Sequence, residues 1–247
     1  MRNIKILIEY DGTDYKGWQI QLNQKSVQGE VTNSLRSIIG RNVTLTGAGR
    51  TDSGVHAMGQ VANFRTDSKI SANKFMEGLN GTLPKDIRIL KSMEVEEDFH
   101  SRRDAIERHY LYKVIKRESA LARFYAYDPG YNLDLKVMVE SANIIKVNTD
   151  FNSFCKTRSE TENKKCNIVK SEWRENGDYL YYTIGADRFI YNMVRSLVGT
   201  MIEVGRGKIT LAEFGEIFGK SNRKAAGPNA PSHGLYLEKI VYEEDFN

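Results

Sequence analysis

The first residues that could do chemistry lie in a short polar loop from Gly47 to His56, with the sequence GAGRTDSGVH. Three glycines in eight positions allow an unusual backbone path and a close approach to a ligand. The two charged residues, Arg50 and Asp52, are separated by one position. A nearby guanidinium keeps a carboxylate ionised and fixes its rotamer, as a nucleophile or base requires. The alternative is a tight loop whose aspartate only bonds its own backbone.

Arg195 is a second candidate because it interrupts an apolar pattern. The segment 188–204 has apolar residues at helical spacing and predicts a helix that ends at Gly205. A cation in that helix can extend its charged end to water. It can also point into a cleft and pair with a carboxylate. Sequence position alone leaves both possibilities open.

Tyr110 and Tyr112 alternate in a predicted strand over 109–116, so their side chains share one face. Packing on the sheet explains such a pair without any function. An aromatic ring beside a carboxylate could instead stack on a base that has left its helix.

The sequence contains no convincing motif for a dinucleotide, a nucleoside triphosphate or a metal ion. The glycine spacing of the polar loop is not that of a dinucleotide-binding fingerprint, and no helical pattern begins there. The segment 215–221, GEIFGKS, resembles a phosphate-binding loop but has one residue too few and falls in a predicted helix. The four histidines lack metal-ligand spacing, and the two cysteines form neither a zinc pattern nor a disulfide framework: His56, His100, His109, His233, Cys155 and Cys166. We therefore expect no metal.

Composition permits a polyanionic partner but does not require one. The chain has 247 residues, 40% of them hydrophobic, and a net charge of +4. Basic residues alternate with aromatic ones between Arg102 and Tyr127, a pattern that an RNA surface could use. More basic residues follow at Lys156, Arg158, Lys164, Lys165 and Lys170. With no signal peptide or membrane span and only two cysteines, the sequence predicts a cytoplasmic protein.

Helical and strand patterns alternate along the chain, but the connections vary too much for regular parallel crossover units. The patterns predict two α+β halves, 1–103 and 104–247, that share one mixed, largely antiparallel sheet with flanking helices. Residues 149–168 are the least patterned and are expected to form a mobile, basic loop. The predicted strands cover 4–10, 43–46, 60–65, 87–90, 109–116, 179–184 and 235–242. The predicted helices follow Ser26, Ser71, Asp134 and Thr210 and include 188–204.

Five ordered segments together resemble the TruA-type tRNA pseudouridine synthases over almost the whole chain. They are YDGTDYKGWQIQ, GAGRTDSGVHAMGQVANF, FHSRRDAIERHYLY, FIYNMVRSLVGTMIEVGRGK and GPNAPSHGLYLEKIVY. The sequence departs from the family pattern mildly, with Ser53 and Ser101 where alanine is usual.

The resemblance implies the pseudouridine synthase fold, with two RRM-like halves. It implies that Asp52 is the catalytic carboxylate, that Tyr110 is the active-site tyrosine and that Arg195 pairs with the aspartate. Arg50 would assist Asp52 or contact phosphate. It further implies a homodimer that holds tRNA, and an isomerisation of uridine to pseudouridine that requires no cofactor.

Family analogy places the target in the anticodon stem-loop, around positions 38–40. A shifted RNA target for the same reaction is one alternative. Another is a non-catalytic RNA-binding protein on the same scaffold, since RRM-like pairs bind RNA without chemistry. A metal- or nucleotide-dependent enzyme is a third possibility, which the absence of ligand clusters and phosphate loops disfavours.

Overall fold

The computed structural model describes residues 1–155, 163–243 and 246. These residues form two compact units, one of residues 1–106 with 236–247 and the other of residues 107–235. The closing strand groups with the first unit because it pairs in parallel with an earlier strand, His56 opposite Tyr236. The halves 1–103 and 104–247 stay a prediction about domains, and the compact units differ from them mainly in the placement of this strand.

The first unit contains a mixed sheet and two helices. Its strands are β1 (Arg2–Tyr10), β2 (Leu45–Gly47), β3 (His56–Thr66), β4 (Ile87–Val95) and β8 (Leu235–Val241), and its helices are α1 (Val27–Ile39) and α2 (Ala72–Thr82). The order is β4-β1-β3-β8, with β2 also paired to β3; only the β3–β8 pair is parallel. The alternating Ile4, Ile6 and Ile8 of the central strand are fully buried, as period-two patterning requires.

The described residues of the second unit include three antiparallel strands and three α-helices. Its strands are β5 (Glu107–Ile115), β6 (Ile168–Asn176) and β7 (Tyr179–Ala186), and its helices are α3 (Leu135–Val147), α4 (Met193–Gly205) and α5 (Leu211–Lys220). The order is β5-β7-β6. Tyr112, Tyr182 and Met201 are fully buried in its core.

Several local expectations are confirmed at the atomic level. Ser26 accepts a hydrogen bond from the Gly29 N–H at the start of α1, and Gly40 ends that helix at φ 79°. Asp134 caps α3, and Thr210 forms a capping box with Glu213 at the start of α5. The predicted α+β class, with mixed and mostly antiparallel strands and flanking helices, is also confirmed.

Two expectations need correction. The helix predicted over 188–204 begins only at Met193, because Asn192 adopts a left-handed φ of 66° and residues 187–192 form a loop after β7. Strand β6 was missed because its sequence, IVKSEWREN, is mostly polar and buries only Ser171 and Trp173. Of the loop predicted over 149–168, residues 156–162 lie outside the described residues.

Within the described residues, no helix combines the length and the apolar character that crossing a bilayer requires.

Candidate active site

The loop that carries Asp52 connects β2 to β3 and ends in a tight turn. The Val55 N–H donates to the Asp52 carbonyl at 3.2 Å, and Gly54, the third residue of the turn, has a φ of 75°. A left-handed φ at this position favours glycine. Asp52 is half-buried, whereas Arg50 is exposed. The local sequence thus fixes a carboxylate at the first position of a defined turn.

The segment that follows β1 holds this loop through backbone atoms. The Trp18 N–H donates to the Thr51 carbonyl at 3.1 Å, and the Gly54 N–H donates to the Tyr15 carbonyl at 3.3 Å. The Ser53 hydroxyl donates to the same Tyr15 carbonyl at 3.2 Å. Serine in place of the usual alanine therefore adds a contact that helps to hold the turn.

Two glycines make this close approach possible. Gly12 lies so near the Val55 carbonyl that any side chain there would collide with it. Gly17 lies against the Thr51 carbonyl in the same way and also has a φ of 88°. Larger residues at either position would push the two segments apart.

Buried aromatic rings support the same contact. Tyr15 and Trp18 are each 1% exposed. The Tyr15 hydroxyl donates to the Asp86 carboxylate at 2.6 Å. Burial, and then this hydrogen bond, raise the pKa of Tyr15 far above its usual value, so the hydroxyl stays a donor. Sequence reasoning assigned no role to these rings, although aromatic residues spaced between glycines in a polar segment were a signal for them.

The two tyrosines of β5 have different environments in the second unit. Tyr112 is fully buried, and its hydroxyl donates to the Pro231 carbonyl at 2.8 Å. Burial is the main cause that raises the pKa of Tyr112 well above its usual value. Tyr110 is half-buried, and its ring meets Phe189 edge to face at 5.1 Å. Tyr112 is thus a packing residue, whereas part of the Tyr110 side chain stays accessible.

Arg195 is the third residue of α4 and is half-buried. Its Nε–H donates to the Ala230 carbonyl at 2.8 Å, and the Ala230 N–H donates to the Arg195 carbonyl at 2.8 Å. The guanidinium is therefore oriented by the segment 227–231, a contribution that sequence reasoning missed. The sequence GPNAP in that segment was the available signal.

The same segment packs tightly against α4 at Gly199, where an added side chain would collide with the Pro228 carbonyl. We expect Gly199→Ala to destabilise the protein by about 1–3 kcal/mol, because backbone must move to admit the methyl group. Gly215→Ala is the matched control, since nothing lies within 4 Å of that helical position. It should stabilise by about 0.5–1 kcal/mol. Denaturant unfolding measures both, and equal effects would contradict the close packing.

The four predicted site residues divide between the units. Arg50 and Asp52 lie in the first, and Tyr110 and Arg195 lie in the second. Across the parts of the chain that the structure describes, no three histidine, cysteine, aspartate or glutamate residues are grouped so that they could hold a metal ion.

Comparison with known proteins identifies the family to which this chain is similar. The sequence profile described as tRNA pseudouridine synthase matches residues 6–104 and 148–243. The tRNA pseudouridine synthase A of Acetivibrio thermocellus is 42% identical over 244 residues, which cover 98% of this chain and 100% of the relative. That of Bacillus pumilus is 40% identical over 97% of this chain and 99% of the relative.

Among solved structures, a Cbf5-Nop10-Gar1 complex overlaps 80% of this chain and 54% of its own chain, with 11% identity. Its TM-score of 0.33 is too low to support an inference. The sequence matches alone are sufficient: the chain belongs to the tRNA pseudouridine synthase family and is an isomerase.

Proposed function

We propose that this protein converts uridine to pseudouridine in the anticodon stem-loop of tRNA, around positions 38–40, with Asp52 as the catalytic carboxylate. The main support is the turn that carries Asp52. Its backbone is bonded to the segment after β1, and two glycines allow that segment to approach so closely. These contacts fix the backbone position from which the Asp52 side chain projects, as a reacting group requires.

The reaction explains why one carboxylate is enough. The N1–C1′ glycosidic bond breaks, the uracil turns, and a new bond forms from C1′ to C5. Nothing is oxidised and no group enters or leaves overall, so the reaction requires no cofactor. Asp52 acts by attack on C1′, by removal of a proton to give a glycal, or by addition to C6 of the ring.

Arg195 is proposed to keep Asp52 ionised and aimed. Its half-buried position and its bond to the Ala230 carbonyl support this role, because a guanidinium held at Nε presents its remaining N–H donors in a fixed direction. Arg50 is exposed and is proposed to assist Asp52 or to contact a phosphate.

Tyr110 is proposed to stack on the uracil after it leaves the helix, which costs a few kcal/mol. Stacking is worth roughly 1–3 kcal/mol per base and would offset part of that cost. We expect Tyr110→Phe to keep the stacking and Tyr110→Ala to lose it. Single-turnover rates for the two variants separate the ring from the hydroxyl. If the Phe variant is as slow as the Ala variant, the hydroxyl is required and stacking alone does not explain the role of Tyr110.

The tRNA is proposed to bind through its phosphates, which gives affinity that depends on salt but carries little sequence information. Exposed basic residues in the predicted basic–aromatic stretch support this proposal: Arg102, Arg103, Lys116, Arg117 and Arg123. Assembly as a homodimer and a cytoplasmic location remain predictions from the sequence.

A tritium-release assay tests the proposal directly. Uridine labelled with ³H at C5 loses its label when C5 bonds to C1′, so the protein should release tritium from labelled tRNA. A non-catalytic RNA-binding protein would bind the tRNA and release none. Full release in EDTA without added nucleotide would exclude the metal- or nucleotide-dependent alternative. Mapping pseudouridines in RNA from a deletion strain would distinguish positions 38–40 from a shifted target.

A further inference from the structure

Two buried side-chain hydrogen bonds flank Asp52, one at each end of its turn. Before it, the Tyr10 hydroxyl and the Thr51 hydroxyl are 2.7 Å apart. After it, His56 Nδ1 accepts from the Gly12 N–H at 3.1 Å. Tyr10 is 3% exposed, Thr51 7% and His56 2%, so water does not compete well for these bonds.

Both bonds lead to the same place, the end of β1. Tyr10 is the last residue of that strand, and Gly12 follows two positions later. Thr51 and His56, the residues on either side of the turn from Asp52 to Val55, are therefore both hydrogen-bonded to the short segment from Tyr10 to Gly12.

The histidine is fixed in orientation as well as in position. Its ring stacks on Tyr236 with centroids 4.7 Å apart. Its Nδ1 lies 3.1 Å from the Gly12 nitrogen, so the ring edge that carries this atom faces the opening segment. Asp11 Oδ1 also lies 3.1 Å from Nδ1, and it accepts from the N–H and the hydroxyl of Thr13. The histidine thus contacts the opening segment at two points, the Gly12 N–H and the Asp11 carboxylate.

We propose that Tyr10 and His56 are positioning residues that fix the direction of the Asp52 carboxylate. They tie both ends of its turn to the end of β1 and act on the reaction only through Asp52. The proposal rests on the catalytic role of Asp52 proposed above. Misplacement of a reacting group by about 1 Å can cost on the order of 100-fold in rate, so hydrogen bonds that hold the turn should matter more for turnover than for tRNA binding.

A double-mutant cycle tests the first bond. Tyr10→Phe and Thr51→Val each remove one hydroxyl, and we expect each to lower kcat on the order of 10- to 100-fold with little change in KM. The double variant should be no slower than the slower single variant, because both changes break the same bond. Thr51→Ser keeps the hydroxyl and should restore most of the rate.

A matched pair tests the second bond. His56→Asn can place an amide oxygen near the position of Nδ1 and accept from the Gly12 N–H, whereas His56→Leu is apolar and accepts nothing. Both variants lose the stacking on Tyr236, so their difference reports the polar contact at the position of Nδ1. We expect the Leu variant to lose kcat on the order of tenfold more than the Asn variant, with similar melting temperatures.

Wild-type kcat in both Tyr10→Phe and His56→Leu would overturn the proposal. Losses that follow the melting temperature and are not rescued by Thr51→Ser or His56→Asn would also overturn it, because they would indicate a structural role alone. Asp52→Asn is assayed alongside. If that variant turns over, the proposed function fails; if it is inactive while the positioning variants are unaffected, only the present inference fails.

Discussion

Asp52→Asn is expected to abolish turnover while tRNA binding stays nearly intact. The substitution keeps the size and shape of the side chain but removes the negative charge that the reaction uses. Loss of a central catalytic group costs about 10⁴-fold or more in kcat. Tritium release under single-turnover conditions measures the chemistry, and filter binding measures affinity. The Kd should change by less than about threefold, or about 0.7 kcal/mol.

Asp98→Asn is the matched control. Asp98 is an exposed aspartate of the same unit and should tolerate the change without loss of rate. Appreciable product from Asp52→Asn would remove Asp52 from the central role. A large increase in Kd for tRNA would instead indicate that the residue serves mainly in binding.

Arg195→Ala is expected to be the second most damaging change. The side chain is held at Nε by the Ala230 carbonyl, and we propose that the rest of the guanidinium keeps Asp52 ionised and aimed. Removal of one preorganised electrostatic partner costs on the order of 10²–10³-fold in kcat. Arg195→Lys keeps the charge but lacks the planar fork and the Nε donor, so it should recover only part of the rate.

The division between kcat and KM adds a readout that simple destabilisation would not give. If the guanidinium only aims the carboxylate, Arg195→Ala should lower kcat with little change in KM and in the melting temperature. Arg174→Lys is the control, because Arg174 is an exposed arginine that pairs with Glu172 at the surface. A wild-type kcat in Arg195→Ala would refute the pairing.

Local sequence patterns correctly predicted the helix ends that are set by neighbouring residues. Ser26 and Gly40 bound α1 as expected, because a capping hydroxyl and a left-handed glycine act within a few residues of the helix ends. β6 was missed because its polar sequence becomes a strand only through its pairing with β7. The start of α4 was misplaced because a positive φ at Asn192 overrides the apolar pattern before it.

For the candidate site, the sequence by itself determined the chemistry: a carboxylate in a glycine-rich loop, a tyrosine on a strand and an arginine in an apolar helix. These follow from residue type and short spacing, which require no distant partner. Only the tertiary structure decided which hydrogen bonds hold the segments that carry these residues. The contacts of Tyr10 with Thr51 and of Gly12 with His56 join residues more than forty positions apart, and the bond from Arg195 to Ala230 spans thirty-five. Such contacts depend on how the chain folds back on itself, and no local pattern specifies that path.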